Sequence, residues 1–202
     1  MDRNFGFSGC FWRSLIDVNL LDHFEKIYLI TSYHTKDRLK DTLPHLKENG
    51  IDPELFVAPI KYHFPHYHKY NTEQVWPGKL SVACAYEQLF QKCLIENTET
   101  ALFIEDDITL LNNWENTIKA KWFSQKNWYM LKDGVQCHFF GMSNRAMRDF
   151  LNKYALNNYH IDFAFNDLDK NISTSHFTRQ RSVEKQVPSA IDTEEDKYDL
   201  QF

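Results

Sequence analysis

The chain has 202 residues, 23 Lys+Arg against 28 Asp+Glu, and a formal net charge of −5. That length suits one domain with a real core, and 43% hydrophobic with 15% aromatic residues excludes a disordered chain. No apolar run approaches the roughly 18 residues that a bilayer span needs, and the mild acidity argues against indiscriminate binding to phosphate backbones. The opening Met1-Asp2-Arg3-Asn4 leads to no sustained apolar stretch, so no secretory signal and a cytoplasmic location are expected. Cys10, Cys84, Cys93 and Cys137 lie far apart with no CxxC pair, which points to reduced thiols rather than a disulfide or zinc scaffold.

Lys26-Ile27-Tyr28-Leu29-Ile30 is a β-prone run ending in the polar turn Thr31-Ser32-Tyr33-His34. The pattern then becomes helical from Thr35 to Asn49, with Leu39, Leu43 and Leu46 on one face and Gly50 as the stop. Pro44 inside that stretch predicts a kink or a break. Glu54-Leu55-Phe56-Val57-Ala58 reads as a second strand closed by Pro59, so the opening segment spells a βαβ unit.

Between Lys61 and Gly78 no period survives, and a long ordered loop in a compact domain is usually functional. Its His63, His66 and His68 resemble a zinc set but lack a nearby fourth ligand. Tyr62, Phe64, Tyr67, Tyr70 and Trp76 suit either a lid that stacks on a sugar or base, or a packed surface loop. Periodicity returns from Leu80 to Glu96, where Ala83, Leu89 and Cys93 share a face. Thr100-Ala101-Leu102-Phe103-Ile104 is apolar enough for a central strand buried on both sides. A helix over Trp114 to Phe123, a strand over His138 to Met142 and a helix over Ser143 to Tyr154 follow. The last is capped by Ser143 and buries Ala146, Met147, Phe150 and Leu151. Asp192 to Lys197 is a charge run of the kind found in solvated tails.

Strands alternating with helices predict an α/β sandwich with a mostly parallel sheet, as one domain over residues 1–191 with an acidic tail at 192–202. In such sheets ligands bind where strands end at their carboxyl termini. Two loops have that address: Thr31 to His34, and the Glu105-Asp106-Asp107 triplet directly after the central strand. Consecutive carboxylates repel one another, so either some pKa values rise or a cation offsets the repulsion. Alternate residues of an extended segment point the same way, which lets Glu105 and Asp107 share a side. Two hard oxygen donors suit Mg²⁺ or Mn²⁺. The same triplet also reads as an acidic turn that caps the next helix.

Four ordered stretches give the chain a resemblance to glycosyltransferase family 25, which includes lipooligosaccharide and collagen galactosyltransferases. They are Ile27 to Ile30 with Lys36 to Leu39, Gly50-Ile51 and Phe56 to Ala58; Val82 to Ala85 leading to Leu102 to Ile108; Gly141-Met142-Ser143 with Ala146 and Leu151; and Ile161-Asp162 with Gln186 and Ser189 to Ile191. The chain departs from the family at Thr31, where Asn is usual, and at Glu87-Gln88, where Ser-His is usual.

The resemblance implies a GT-A-like, Rossmann-like α/β/α sandwich, with a nucleotide-sugar half (26–107) and an acceptor half (108–191). Ile30, Thr31, Ser32 and Tyr33 would border the nucleoside. Arg38 would reach a phosphate, or serve as a surface salt-bridge partner. Asp107 would bind Mn²⁺ or Mg²⁺, with Glu105 as a second ligand, and Glu105 or Asp106 would reach the ribose or a metal-bound water. Asp162 is the candidate base for the acceptor hydroxyl, or else a helix cap; His176 is a last metal ligand, or a structural histidine. The implied reaction moves a sugar, with inversion, from a nucleotide-sugar donor such as a UDP-sugar to the hydroxyl of a glycan. Two alternatives are transfer to modified bases of DNA, suggested by Lys119 to Phe123 and by Arg179 and Arg181 with Lys185, and a non-catalytic nucleotide-sugar-binding module.

Overall fold

The strands that organise this protein are buried on both faces, and each divides its side chains between two cores. In β1 (Lys26–Ser32), Ile27 and Leu29 point to one side, and Tyr28 and Ile30 to the other. In β3 (Thr100–Glu105), Leu102 and Ile104 join the first core, and Ala101 and Phe103 the second. A strand buried this way needs a layer on each face. The computed structural model describes residues 19–58, 77–112, 114–119, 122, 128–133, 138–154, 165, 168, 173–175 and 178–180.

One layer contains α1 (Leu39–Glu48) and α3 (Trp114–Ile118), which place Leu46, Trp114 and Ile118 against Leu29, Leu102 and Ile104. The opposite layer contains α2 (Pro77–Ile95) and α4 (Asn144–Tyr154), whose Tyr86, Leu89, Phe90, Ala146, Met147 and Phe150 cover Tyr28, Phe103 and Phe140. The main sheet has the order β2-β1-β3-β6-β5-β7, with β2 (Glu54–Ala58), β5 (Met130–Asp133), β6 (Phe139–Ser143) and β7 (Ser173–Ser175). The β1–β2, β1–β3 and β5–β7 pairs are parallel, and both pairs of β6 are antiparallel. The result is the expected α/β sandwich, with a mixed, mostly parallel sheet. A second small sheet pairs β4 (Ile108–Leu110) with β8 (Thr178–Gln180).

Local chemistry sets the ends of the helices. Ser32 caps a 3₁₀ helix over Tyr33–Arg38, accepting from the Thr35 amide at 3.2 Å while Thr35 Oγ1 accepts from the Ser32 amide at 3.1 Å. The helix expected from Thr35 therefore begins as a 3₁₀ turn and becomes α-helical at Leu39. Gly50, at φ 76°, closes α1 with its amide on Lys47 O and the Ile51 amide on Leu46 O. Pro44 neither breaks nor ends α1. Pro44 and Lys40 are both exposed, so water can take up the Lys40 carbonyl that proline leaves without an amide. Ser143 accepts from the Ala146 amide at 3.3 Å, the cap expected for α4.

Two parts of the chain differ from the sequence pattern. Regular α3 covers Trp114–Ile118 of the expected helix, with wider π-type winding at Lys119 and Trp122, and Phe123 lies outside the described residues. Trp122 is fully buried, its ring 5.7 Å from Phe139 and 6.4 Å from Phe24. Strands β4, β5, β7 and β8 carry no pattern that marks them as strands. The loop with His63, His66 and His68 and the tail from Asp192 to Lys197 lie outside the described residues.

Candidate metal centre

β1 and β3 are parallel neighbours with Ile30 beside Glu105, so their carboxyl ends open at the same place. The alternation of β3 decides where each acid goes. Ile104 faces α1, so Glu105, the next residue, emerges on the α2 side, where Tyr86 Oη donates to its Oε1 at 2.8 Å. β6 supplies the other wall. It runs antiparallel to β3 with Ile104 opposite Phe139, and one residue further the Glu105 amide donates to the His138 carbonyl at 2.8 Å. The His138 ring thereby lands on the same face as Glu105, and Nδ1 touches Glu105 Oε2 directly.

Asp107 completes the group. After the turn at Asp106 its carboxylate comes back to this side, with Oδ1 3.8 Å from His138 Nδ1. One ligand atom from each of Glu105, Asp107 and His138 lies within 4.8 Å of the others. Two carboxylates and an imidazole form a donor set that fits a divalent cation such as Mn²⁺ or Mg²⁺. The shared side expected for Glu105 and Asp107 is present, reached through a turn rather than along an extended strand.

Asp106 faces the opposite layer. Its Oδ2 accepts from the hydroxyls of Thr31 at 2.5 Å and Thr35 at 2.6 Å, and Arg38 Nη1 donates to its Oδ1 at 3.3 Å. Its main-chain carbonyl accepts from Thr42 Oγ1 at 2.5 Å. Burial is the largest influence on this carboxyl and pushes its pKa above the usual range; the two hydroxyls and Arg38 pull the other way, and Asp107 adds to the rise. The same Arg38 Nη1 lies 3.8 Å from Asp107 Oδ2, so one guanidinium serves both acids.

The residues singled out in the sequence therefore separate into groups. Glu105 and Asp107 converge with His138; Thr31, Arg38 and Asp106 form a second cluster beside them. Ile30 is buried in the α2-side core, Ser32 is occupied as a cap, and Tyr33 opens the 3₁₀ helix. Asp162 and His176 lie outside the described residues. His138 was not singled out, although it heads a strand that the pattern does reveal. The signal that identifies it is the antiparallel register of β6 against β3, which a single sequence does not contain.

No family model matches the chain, and no curated protein does. Solved structures share its outline at low identity. A glycosyltransferase involved in glycosylation of the major capsid of PBCV-1 is 9% identical, with a TM-score of 0.45 over 75% of this chain and 81% of that one. A197 from STIV is 11% identical, with a TM-score of 0.43 over 76% of this chain and 83% of that one. A mutant Drosophila β1,4-galactosyltransferase 7, in complex with manganese, UDP-Gal and xylobiose, is 11% identical, with a TM-score of 0.43 over 86% of this chain and 79% of that one. At such distances the chemistry has to be argued from the side chains.

Proposed function

We propose that this chain is a GT-A-type, family 25-like glycosyltransferase that moves a sugar from a nucleotide-sugar donor, of the UDP class, to the hydroxyl of a saccharide acceptor with inversion. The observation that carries the proposal is the convergence of Glu105, Asp107 and His138 at the carboxyl ends of a parallel strand pair. The ordered motifs that resemble the family support the donor class. Glu105, Asp107 and His138 would hold the cation, which supplies electrostatic stabilisation of the leaving nucleoside diphosphate.

The protein's own groups take definite parts in this reading. Tyr86 fixes one oxygen of Glu105 and leaves the other directed at His138. Arg38, which contacts both Asp106 and Asp107, is assigned the diphosphate. Thr31 and Ser32, at the end of β1, are assigned the border of the nucleoside. Asp162 is assigned the proton of the acceptor hydroxyl, and His176 a further ligand position.

Two observations bear on the alternatives. Trp122, which would stack on a base in a DNA-binding surface, is buried in the core, and this favours a saccharide acceptor. The direct His138–Glu105 contact favours one other reading, a non-catalytic nucleotide-sugar-binding module whose imidazole and carboxyl groups satisfy each other without a cation. The test is a panel of UDP-, GDP- and CDP-sugars incubated with the protein with and without Mn²⁺. Release of nucleoside diphosphate only with metal, abolished in Asp107→Asn, supports the transferase. Metal-independent binding with no turnover supports the module and rejects the transferase.

A further inference from the structure

Asp106 is the acid of the triplet that points away from the candidate cation, and it is also the most firmly held. Its partners are Thr31 at the end of β1, Thr35 and Arg38 in the 3₁₀ helix, and Thr42 in α1. All of them lie on the α1 side of the sheet. The groups gathered with the Asp107 carboxylate on the other side are Glu105, at the end of β3, and His138, just ahead of β6. The turn that carries Asp107 is thus tied from one face and used on the other, and Arg38 spans both acids.

We propose that Asp106 is the positioning residue of this centre. The Thr31 and Thr35 hydroxyls and the Arg38 guanidinium lock its carboxylate, and this lock presents Asp107 to Glu105 and His138; Asp106 itself touches neither the cation nor the ribose of the donor. The proposal rests on the reading of Glu105, Asp107 and His138 as a cation site. A two-residue turn has few constraints of its own, and a buried carboxylate with several donors holds it better than an apolar side chain would. Groups that orient ligands in this way typically set metal affinity by about 10- to 100-fold.

The test is Mn²⁺ titration followed by the electron paramagnetic resonance signal of the free ion, without nucleotide and well below the melting temperature. Melting curves are recorded in parallel. Asp107→Asn is expected to abolish site binding. Asp106→Ala, and separately the double variant Thr31→Val with Thr35→Val, are expected to weaken Mn²⁺ about 10-fold or more. Thr31→Ser with Thr35→Ser keeps both hydroxyls and is expected to bind like the native protein. Should Asp106→Ala fail to fold, the two threonine pairs decide. A lowered melting temperature with native Mn²⁺ affinity would make the network merely structural and overturn the proposal. Loss in Asp106→Ala as complete as in Asp107→Asn, with the valine pair silent, would overturn it in favour of direct ligation. If Asp107→Asn binds Mn²⁺ as well as the native protein does, the cation site itself fails, and the positioning role with it.

Discussion

Replacing Tyr86 by Phe removes a single oxygen from the centre and nothing from the core. The ring is 1% exposed and packs 5.4 Å from Phe140, 5.8 Å from Phe90 and 5.8 Å from Phe165, contacts that Phe keeps. What disappears is the 2.8 Å donation to Glu105 Oε1. A hydrogen bond to a charged group contributes about 1.5–3 kcal/mol, but the Glu105 side chain is 25% exposed, so water replaces part of the loss. The net cost is placed at about 1–1.5 kcal/mol, which for a chain of this size lowers the melting temperature by about 2–6 °C. Glu105 also gains freedom to swing away from Asp107 and His138, so Mn²⁺ affinity is expected to fall about 10-fold, or about 1.4 kcal/mol. Calorimetric titration with Mn²⁺ and a thermal melt measure the two effects. Native Mn²⁺ affinity in a folded Tyr86→Phe protein would refute the idea that Tyr86 aims this ligand.

Other consequences follow from the core. A Cβ on Gly141 would sit 2.5 Å from a ring carbon of Phe24, whose ring is backed by Trp128 at 5.5 Å and Trp122 at 6.4 Å, so Gly141→Ala is expected to cost about 1–3 kcal/mol in urea unfolding. A midpoint equal to the native one would mean that Phe24 has room to retreat. Burial raises the Cys93 thiol from 9.0 to about 11 and the Tyr28 phenol from 10.0 to about 12. The folded chain therefore holds these protons more tightly than the unfolded one. The stability this gives is complete below pH 9 and is lost as pH rises through about 11 and about 12. Urea midpoints should fall across that window; a flat profile would contradict the assignment. Iodoacetamide at pH 8 should leave the Cys84 and Cys93 peptides unmodified until the chain unfolds, whereas labelling at the rate of a free thiol would show that they are accessible.

The frame of the protein is legible in the sequence where burial is one-sided or continuous over enough residues. β1, β3, β6, α2 and α4 all carry such patterns, β2 is marked by its β-prone apolar run although Leu55 and Val57 are exposed, and Gly50 and Ser143 act as the stop and cap that their positions suggest. β5 escapes because Met130-Leu131-Lys132-Asp133 is entirely buried yet ends in two charged residues, so neither its length nor its composition marks a strand. β4, β7 and β8 have three residues each, too few for alternation to be counted. The site follows the same logic. Glu105 and Asp107 announce themselves by their place behind an apolar strand. His138 does not, because what makes it a neighbour of Glu105 is the pairing of β3 with β6 across a long stretch of chain. The setting of Asp106 is hidden for a similar reason: nothing in a run of three acids shows that the middle one faces the hydroxyls of Thr31 and Thr35.

The account depends most on a cation held by Glu105, Asp107 and His138, and X-ray diffraction at the manganese edge addresses this directly. Crystals soaked with MnCl₂ and UDP are expected to show an anomalous peak in ligand contact with both carboxylates and the imidazole, with the direct His138–Glu105 contact opened. An intact His138–Glu105 pair with no peak beside it, in a crystal where UDP is bound, would contradict the account.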